Sequence, residues 1–208
     1  MRHSTRRLPV LFSLAFLVLA SVAAAQSPVS TSLTFKPQEG VGSDVPLFPE
    51  GFTEKSATLK LVDARTAKDP TTIGEGTDRK DRPFPIQTSD DVKGYASDVL
   101  SRVAEQWGVK SGKDRQLTVK LSRFFVTESR KAVGSMYSGD VTIHYTLADG
   151  RGRTLKSGTV QGDTKRYGRA QSRENYNEVL SDALKDAYYN MFNDEDLKEA
   201  WVSGKAKK

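Results

Sequence analysis

The 208-residue chain contains no cysteine. That absence excludes disulfides, thiol catalysis, cysteine-ligated zinc and a lipid attached to a cysteine after an export signal. Histidine is nearly as scarce, with only His3 and His144 in the chain. A zinc site would need carboxylates at metal spacing, and none stands out, so no metal or cofactor is implied. A Ser-His-Asp triad would depend on His144, and no serine sits in a G-x-S-x-G turn. His144 itself falls in strand phase with Thr142 and Thr146, on the polar side of its strand.

Long apolar runs are also missing, with one exception. Leu8 to Ala25 is an uncharged stretch of 18 residues, preceded by Arg2, Arg6 and Arg7 and closing on Ala23-Ala24-Ala25 before Gln26. A basic start, an apolar middle and a small-residue end are the layout of a secretory signal peptide. The competing reading is a retained anchor, since about 17–25 residues span a bilayer. Pro9, Ser13 and Ser21 weaken that reading. We therefore expect cleavage between Ala25 and Gln26, export to the periplasm and no stable membrane anchor.

The excess of positive charge is small once this segment is set apart. Three of the 32 Lys and Arg lie before residue 26 and none of the 26 Asp and Glu do, which leaves +3. Lys205, Lys207 and Lys208 account for as much again. Nucleic-acid binding needs clustered positive charge to displace phosphate counterions, and a near-neutral body argues against it.

Residues 26–55 read as a flexible linker. Pro28, Pro37, Pro46 and Pro49 alternate with Gly40, Gly42 and Gly51, without a sustained apolar period. Such a segment buries too little to offset the entropy of ordering it, although Phe35 and Phe52 offer local docking points. Residues 56–203 then read as one domain, with a basic tail at 204–208.

The domain opens with a strand over 57–64, where Leu59 and Leu61 alternate with polar neighbours. Residues 66–83 read as a polar loop that includes Ile73-Gly74 and the charge run Asp78 to Arg82, and Phe84-Pro85-Ile86 as an edge strand. A helix follows, N-capped by Ser89, with Val92, Ala96, Val99, Leu100, Val103 and Trp107 on one stripe and Gly108 at its end. Three strands come next. In the first, Phe124-Phe125-Val126 breaks the alternation of Leu117, Val119 and Leu121, as a bulge would. The second carries Val141, Ile143, Tyr145 and Leu147. Asp149-Gly150 signals a hairpin into the third, over 153–164. A second helix spans 174–192, and Asp194-Glu195-Asp196 opens a short last one with Leu197 and Trp201 inward. The expected fold is an α+β two-layer sandwich, a mostly antiparallel sheet with two main helices on one face.

No stretch carries a catalytic signature. Asp90-Asp91 and Asp194-Glu195-Asp196 open helices, which is a sufficient reason for paired acids. Gly74-Glu75-Gly76 and Gly150-Arg151-Gly152 lack the strand-then-helix setting of a phosphate loop. Two features invite a binding role. One is Lys165-Arg166-Tyr167-Gly168-Arg169 with Arg173, read either as a solvated loop or as a patch for an anionic envelope ligand, since arginine donates two hydrogen bonds to a phosphate. The other is Asp63 with Arg65, read either as a local ion pair or as part of a partner surface.

The strand Leu61-Val62-Asp63-Ala64-Arg65, then Ile73-Gly74, Trp107-Gly108-Val109, Leu117 to Leu121 and Gly139 to Ile143 together resemble the YajG-like group of bacterial envelope lipoproteins, over residues 57–192. The resemblance implies a Gram-negative periplasmic protein of uncharacterised role and no known enzymatic activity. Members carry a lipidated cysteine at the signal junction; this chain has Ala25-Gln26 there, so tethering does not carry over, and the resemblance supplies no site residues. The expectation is a soluble, non-catalytic periplasmic accessory or binding protein whose partner is an envelope protein or an anionic glycolipid. The alternative is a periplasmic hydrolase built on carboxylates scattered in sequence, such as Asp63, Asp81 and Asp140.

Overall fold

The spine of the molecule is one strand of 16 residues, β6 (Arg115–Arg130). The computed structural model describes residues 27–36 and 52–206. The expected signal segment and its Ala25–Gln26 junction lie outside the described residues, as do positions 37–51 and 207–208. Because β6 is so long, its one edge carries two strands in succession. β2 (Ser56–Asp63) pairs parallel with the first half, from Ala57 opposite Arg115 to Asp63 opposite Leu121. β3 (Thr72–Thr77) pairs parallel with the second half, from Gly74 opposite Val126 to Gly76 opposite Glu128. On the other edge β7 (Ser135–Asp149) and then β8 (Thr154–Gly168) follow as antiparallel hairpins. β4 (Pro83–Gln87) returns antiparallel from β3, and the two-residue strands β1 (Val29–Ser30) and β5 (Lys110–Ser111) add parallel to β4 and β2.

The sheet is therefore mixed, and the expectation of a mostly antiparallel one needs correcting: among the described residues, four of seven strand pairings are parallel. Alternation of side chains reports which face a residue occupies and says nothing of the partner strand's direction. The long ladders among β6, β7 and β8 are antiparallel because short turns join them. The turn after β7 closes with Gly152 N–H on the Asp149 carbonyl at 2.9 Å. β3 falls inside the stretch expected as a loop, and its Ile73 is fully buried.

Helices α1 (Val92–Gln106) and α2 (Arg173–Asn193) lie side by side on one face, joined by the Tyr188 hydroxyl donating to the Ala96 carbonyl at 2.8 Å. The short α3 (Glu195–Ser203) follows α2, with Leu197 and Trp201 fully buried. In β6 the buried set runs Leu117, Val119, Leu121 and then changes phase to Phe124 and Val126 across a register shift between Leu121 and Arg123. The extra residue keeps apolar side chains on the helix face on both sides of the bulge.

Helix starts follow side-chain chemistry. Ser172 Oγ accepts from Asn175 N–H and caps α2, while Asp194 Oδ1 accepts from Asp196 and Leu197 N–H and caps α3. The N-cap of α1 is Asp91, not Ser89, and it makes no side-chain cap bond. Asp90 is turned aside to accept from Leu33 N–H at 2.6 Å.

That bond belongs to a strap formed by the first part of the expected linker. After β1, Thr34 exchanges two hydrogen bonds with the Asn177 side chain, at 2.8 and 2.6 Å, and Lys36 N–H donates to Ser181 Oγ. Val29, Leu33 and Phe35 pack against the core. Thr31 N–H still donates to the Gln87 carbonyl, and beyond it the buried amide and hydroxyl on α2 stand in for a strand ladder.

Acid should lower the stability of the protein through four carboxylates. Hydrogen bonds from Arg65, Thr71, Ser56 and Arg153 hold Asp63, Asp69, Asp114 and Asp149 below the ordinary 3.8. A depressed folded pKa gives stability that is present above the unfolded value and lost as pH falls through the folded one. Denaturant midpoints are expected to be flat between about pH 7 and 5 and to fall below about pH 4; a midpoint unchanged at pH 3 would contradict this.

Candidate basic cleft

Three turns converge at the end of the sheet where β3 and β6 finish. The first joins β3 to β4 and is shaped by Asp78, whose Oδ1 accepts from Lys80 and Arg82 N–H and whose Oδ2 binds the Arg82 guanidinium at 2.7 Å. Asp81 takes the left-handed conformation, with φ 55°. The second is the tip of the β6–β7 hairpin, residues 131–134. The third is the descent from β8 into α2, residues 169–172. Between them lies an open cleft of about 780 Å³.

Its lining carries five cations, Arg79, Lys80, Arg82, Arg130 and Arg169, against one carboxylate, Asp78. Asp78 is engaged with Arg82, and among the described residues no ion pair is seen for the other four. Five cations gathered around one carboxylate create a positive potential that favours an anion. Val133 and Tyr167 border the same cleft, 77% and 54% exposed. Gly134 lies at φ 73°, and a Cβ there would come within 3.0 Å of the Tyr167 hydroxyl, so glycine lets the phenol lie over the hairpin tip.

A buried polar network fixes the third turn from below. Glu128, 1% exposed, accepts from Ser135 Oγ at 2.6 Å, from Gln171 N–H at 2.9 Å and from the Tyr176 hydroxyl. Gln171 is the second left-handed non-glycine residue, with φ 53°. The Tyr137 hydroxyl donates to the Arg169 carbonyl and accepts from Ser172 N–H. Burial, together with the Glu128 carboxylate, pushes both phenols up, so they stay protonated and act as donors. The network thus holds the backbone of the cleft's third turn, from which Arg169 projects.

The sequence candidates fall on both sides of this picture. Tyr167 and Arg169 line the cleft. Arg166 does not: β8 runs on to Gly168, so alternation turns Arg166 toward α2, where it pairs with Glu178. Arg173 is the first residue of α2, its carbonyl accepts from Thr31 Oγ1, and it is not among the lining residues. Asp63 and Arg65 form a bidentate pair, closest at 2.8 Å, and Arg65 also reaches the Pro70 carbonyl, which holds the loop after β2. His144 faces outward, its Nδ1 2.7 Å from Thr159 Oγ1. Arg79, Lys80, Arg82, Arg130, Val133 and Gln171 also line the cleft, and the sequence did not mark them as site residues. Only the charge run at 78–82 is conspicuous there, and it reads as loop.

No family model matches the sequence, and no curated protein does either. Solved structures do match. A Xanthomonas campestris protein described under DUF330 superposes with TM-score 0.52 at 13% identity, over 86% of this chain and 99% of that one. The fold is shared. A minor lipoprotein from Acinetobacter baumannii gives TM-score 0.40 at 11% identity, over 74% of this chain and 96% of that one. A lipoprotein from Caulobacter crescentus gives 0.37 at 12% identity, over 74% and 95%. No helix among the described residues is long and apolar enough to cross a membrane.

Proposed function

We propose that this chain is an exported, YajG-like accessory protein of the bacterial envelope that holds an anionic ligand in the basic cleft without transforming it. The single observation that carries the reading is the concentration of five cations around one engaged carboxylate. Arginine forks and a lysine suit phosphate groups, and a phosphorylated glycolipid head presents several of them. Two of the three carboxylates named for a hydrolase, Asp63, Asp81 and Asp140, are engaged in ion pairs, Asp63 with Arg65 and Asp140 with Arg123. No partner protein needs to be invoked for the cleft's charge.

The test is calorimetric titration with deacylated, phosphorylated lipopolysaccharide, which is soluble and keeps the anionic head. Binding is expected, and the dephosphorylated saccharide is expected not to bind. Reversing Arg130→Glu together with Arg169→Glu should weaken binding about 100-fold, at about 1.5 kcal/mol for each charge-assisted hydrogen bond removed. Equal affinity for both saccharides, or an unaffected double variant, would sink the reading.

A further inference from the structure

The cleft is bordered by the two large hydrophobic side chains that stand exposed among the described residues, Val133 and Tyr167. Their placement has a pattern. Val133 sits at the tip of the β6–β7 hairpin beside exposed Lys131, and Arg130 lies one step further down. Tyr167, next to last in β8, lies alongside, its hydroxyl close over Gly134 at the tip. An apolar tip ringed by cations matches an anionic bilayer surface, where the tip enters the interfacial layer and lysine and arginine meet headgroup phosphates. Tyrosine favours that layer because its ring is apolar and its hydroxyl is wet.

A second, independent observation concerns the chain's direction. β1 runs parallel to β4, with Val29 opposite Ile86 and Ser30 opposite Gln87. β4 begins at Pro83, beside Arg82, and runs away from the cleft end. β1 shares that direction, so residues 27 and 28 enter it from the cleft side.

We propose that this end of the molecule is a bilayer-docking face, with Val133 and Tyr167 entering the interface of an anionic phospholipid membrane while Lys80, Arg130 and Arg169 hold headgroup phosphates. The proposal rests on the anion-binding reading of the cleft and adds its occupant and orientation.

The experiment is flotation of the protein, as its cells process it, with vesicles of phosphatidylglycerol and phosphatidylethanolamine, and with phosphatidylcholine vesicles as control. Retention on the anionic vesicles alone is expected. Val133→Ser with Tyr167→Ser, both exposed and so harmless to folding, should weaken that retention at least about tenfold. A Val133→Trp reporter should shift its emission to the blue with anionic vesicles only, against Trp107 and Trp201, which are fully buried. If the saccharide binds but the vesicles do not, or if the double serine variant floats like the parent, the docking face is wrong and the cleft reading stands. If neither saccharide nor vesicles bind, both readings fall.

Discussion

Replacing Gly162 by valine is expected to lower stability by at least about 3 kcal/mol, the upper end for an over-packed core site. A Cβ at Gly162 would lie 2.1 Å from the Ala183 carbonyl oxygen and 2.3 Å from the Ala187 nitrogen. Both are backbone atoms in the middle of α2, so no rotamer change relieves the clash. One strand over, Gly139 meets the Val179 carbonyl in the same way, at 2.4 Å. The two glycines form a shallow trough across β7 and β8, and α2 lies in it with Ala183 and Ala187 facing down. The helix is fixed elsewhere by the Ser172 cap, the Tyr188–Ala96 bond and the Asp194 turn. To admit valine it must lift as a rod and open the core along its length. Urea unfolding is the measurement, with Gln161→Val on the exposed face of the same strand as control. That control is expected to stay within about 0.5 kcal/mol of the parent. A Gly162→Val midpoint equal to the control's would show that α2 does not rest on the sheet as described.

What could be read from the sequence follows from periodicity, and what could not follows from pairing. α1 and α2 announce themselves because stripes such as Val99, Leu100 and Val103 repeat every 3.6 residues whatever they pack against. The bulge near Arg123 was visible as a change of phase between Leu121 and Phe124. The parallel contacts of β2 and β3 with β6 were not visible, because a strand's side chains are indifferent to its partner's direction. Val29 and Ser30 sit in a proline- and glycine-containing stretch that looks like linker. The strap that follows them is marked only by Asn177 and Ser181, polar residues of α2 that bind Thr34 and Lys36. The cleft was hidden for a third reason. Its cations come from three turns far apart in sequence, so a body that is nearly neutral on average is strongly positive at one end. The error at Arg166 has the same root: read as loop, 165–169 is a basic cluster, whereas read as strand it sends Arg166 to Glu178 and Tyr167 outward.

Glu128→Ala is expected to be the most damaging single change, because it removes one carboxylate and strands three donors. Ser135 Oγ, Gln171 N–H and the Tyr176 hydroxyl would be left in the interior. Each buried donor without a partner costs about 1–3 kcal/mol, so a loss of about 4 kcal/mol is expected after local relaxation. Tyr176 is packed edge-on against Tyr137, with ring centroids 5.2 Å apart, and cannot swing out to water without disturbing the hydroxyl that holds Arg169 and Ser172. Gln171 also loses the bond that fixes its left-handed backbone, a conformation that costs about 1–2 kcal/mol for a residue with a side chain. The wall carrying Arg169 should therefore loosen before the sheet does. Two readouts separate the roles. In denaturant melts, Glu128→Gln should fall between parent and alanine variant, since its amide oxygen still accepts while its NH2 faces donors. In calorimetry well below the melting range, Glu128→Ala should bind the phosphorylated saccharide about tenfold more weakly, the entropic cost of ordering a mobile arginine and its neighbours. Were the alanine variant as stable as the parent, the network beneath the cleft would be irrelevant to the fold. Were it unstable yet undiminished in affinity when folded, Glu128 would support the core alone, and its hold on the cleft's third turn would have no part in binding.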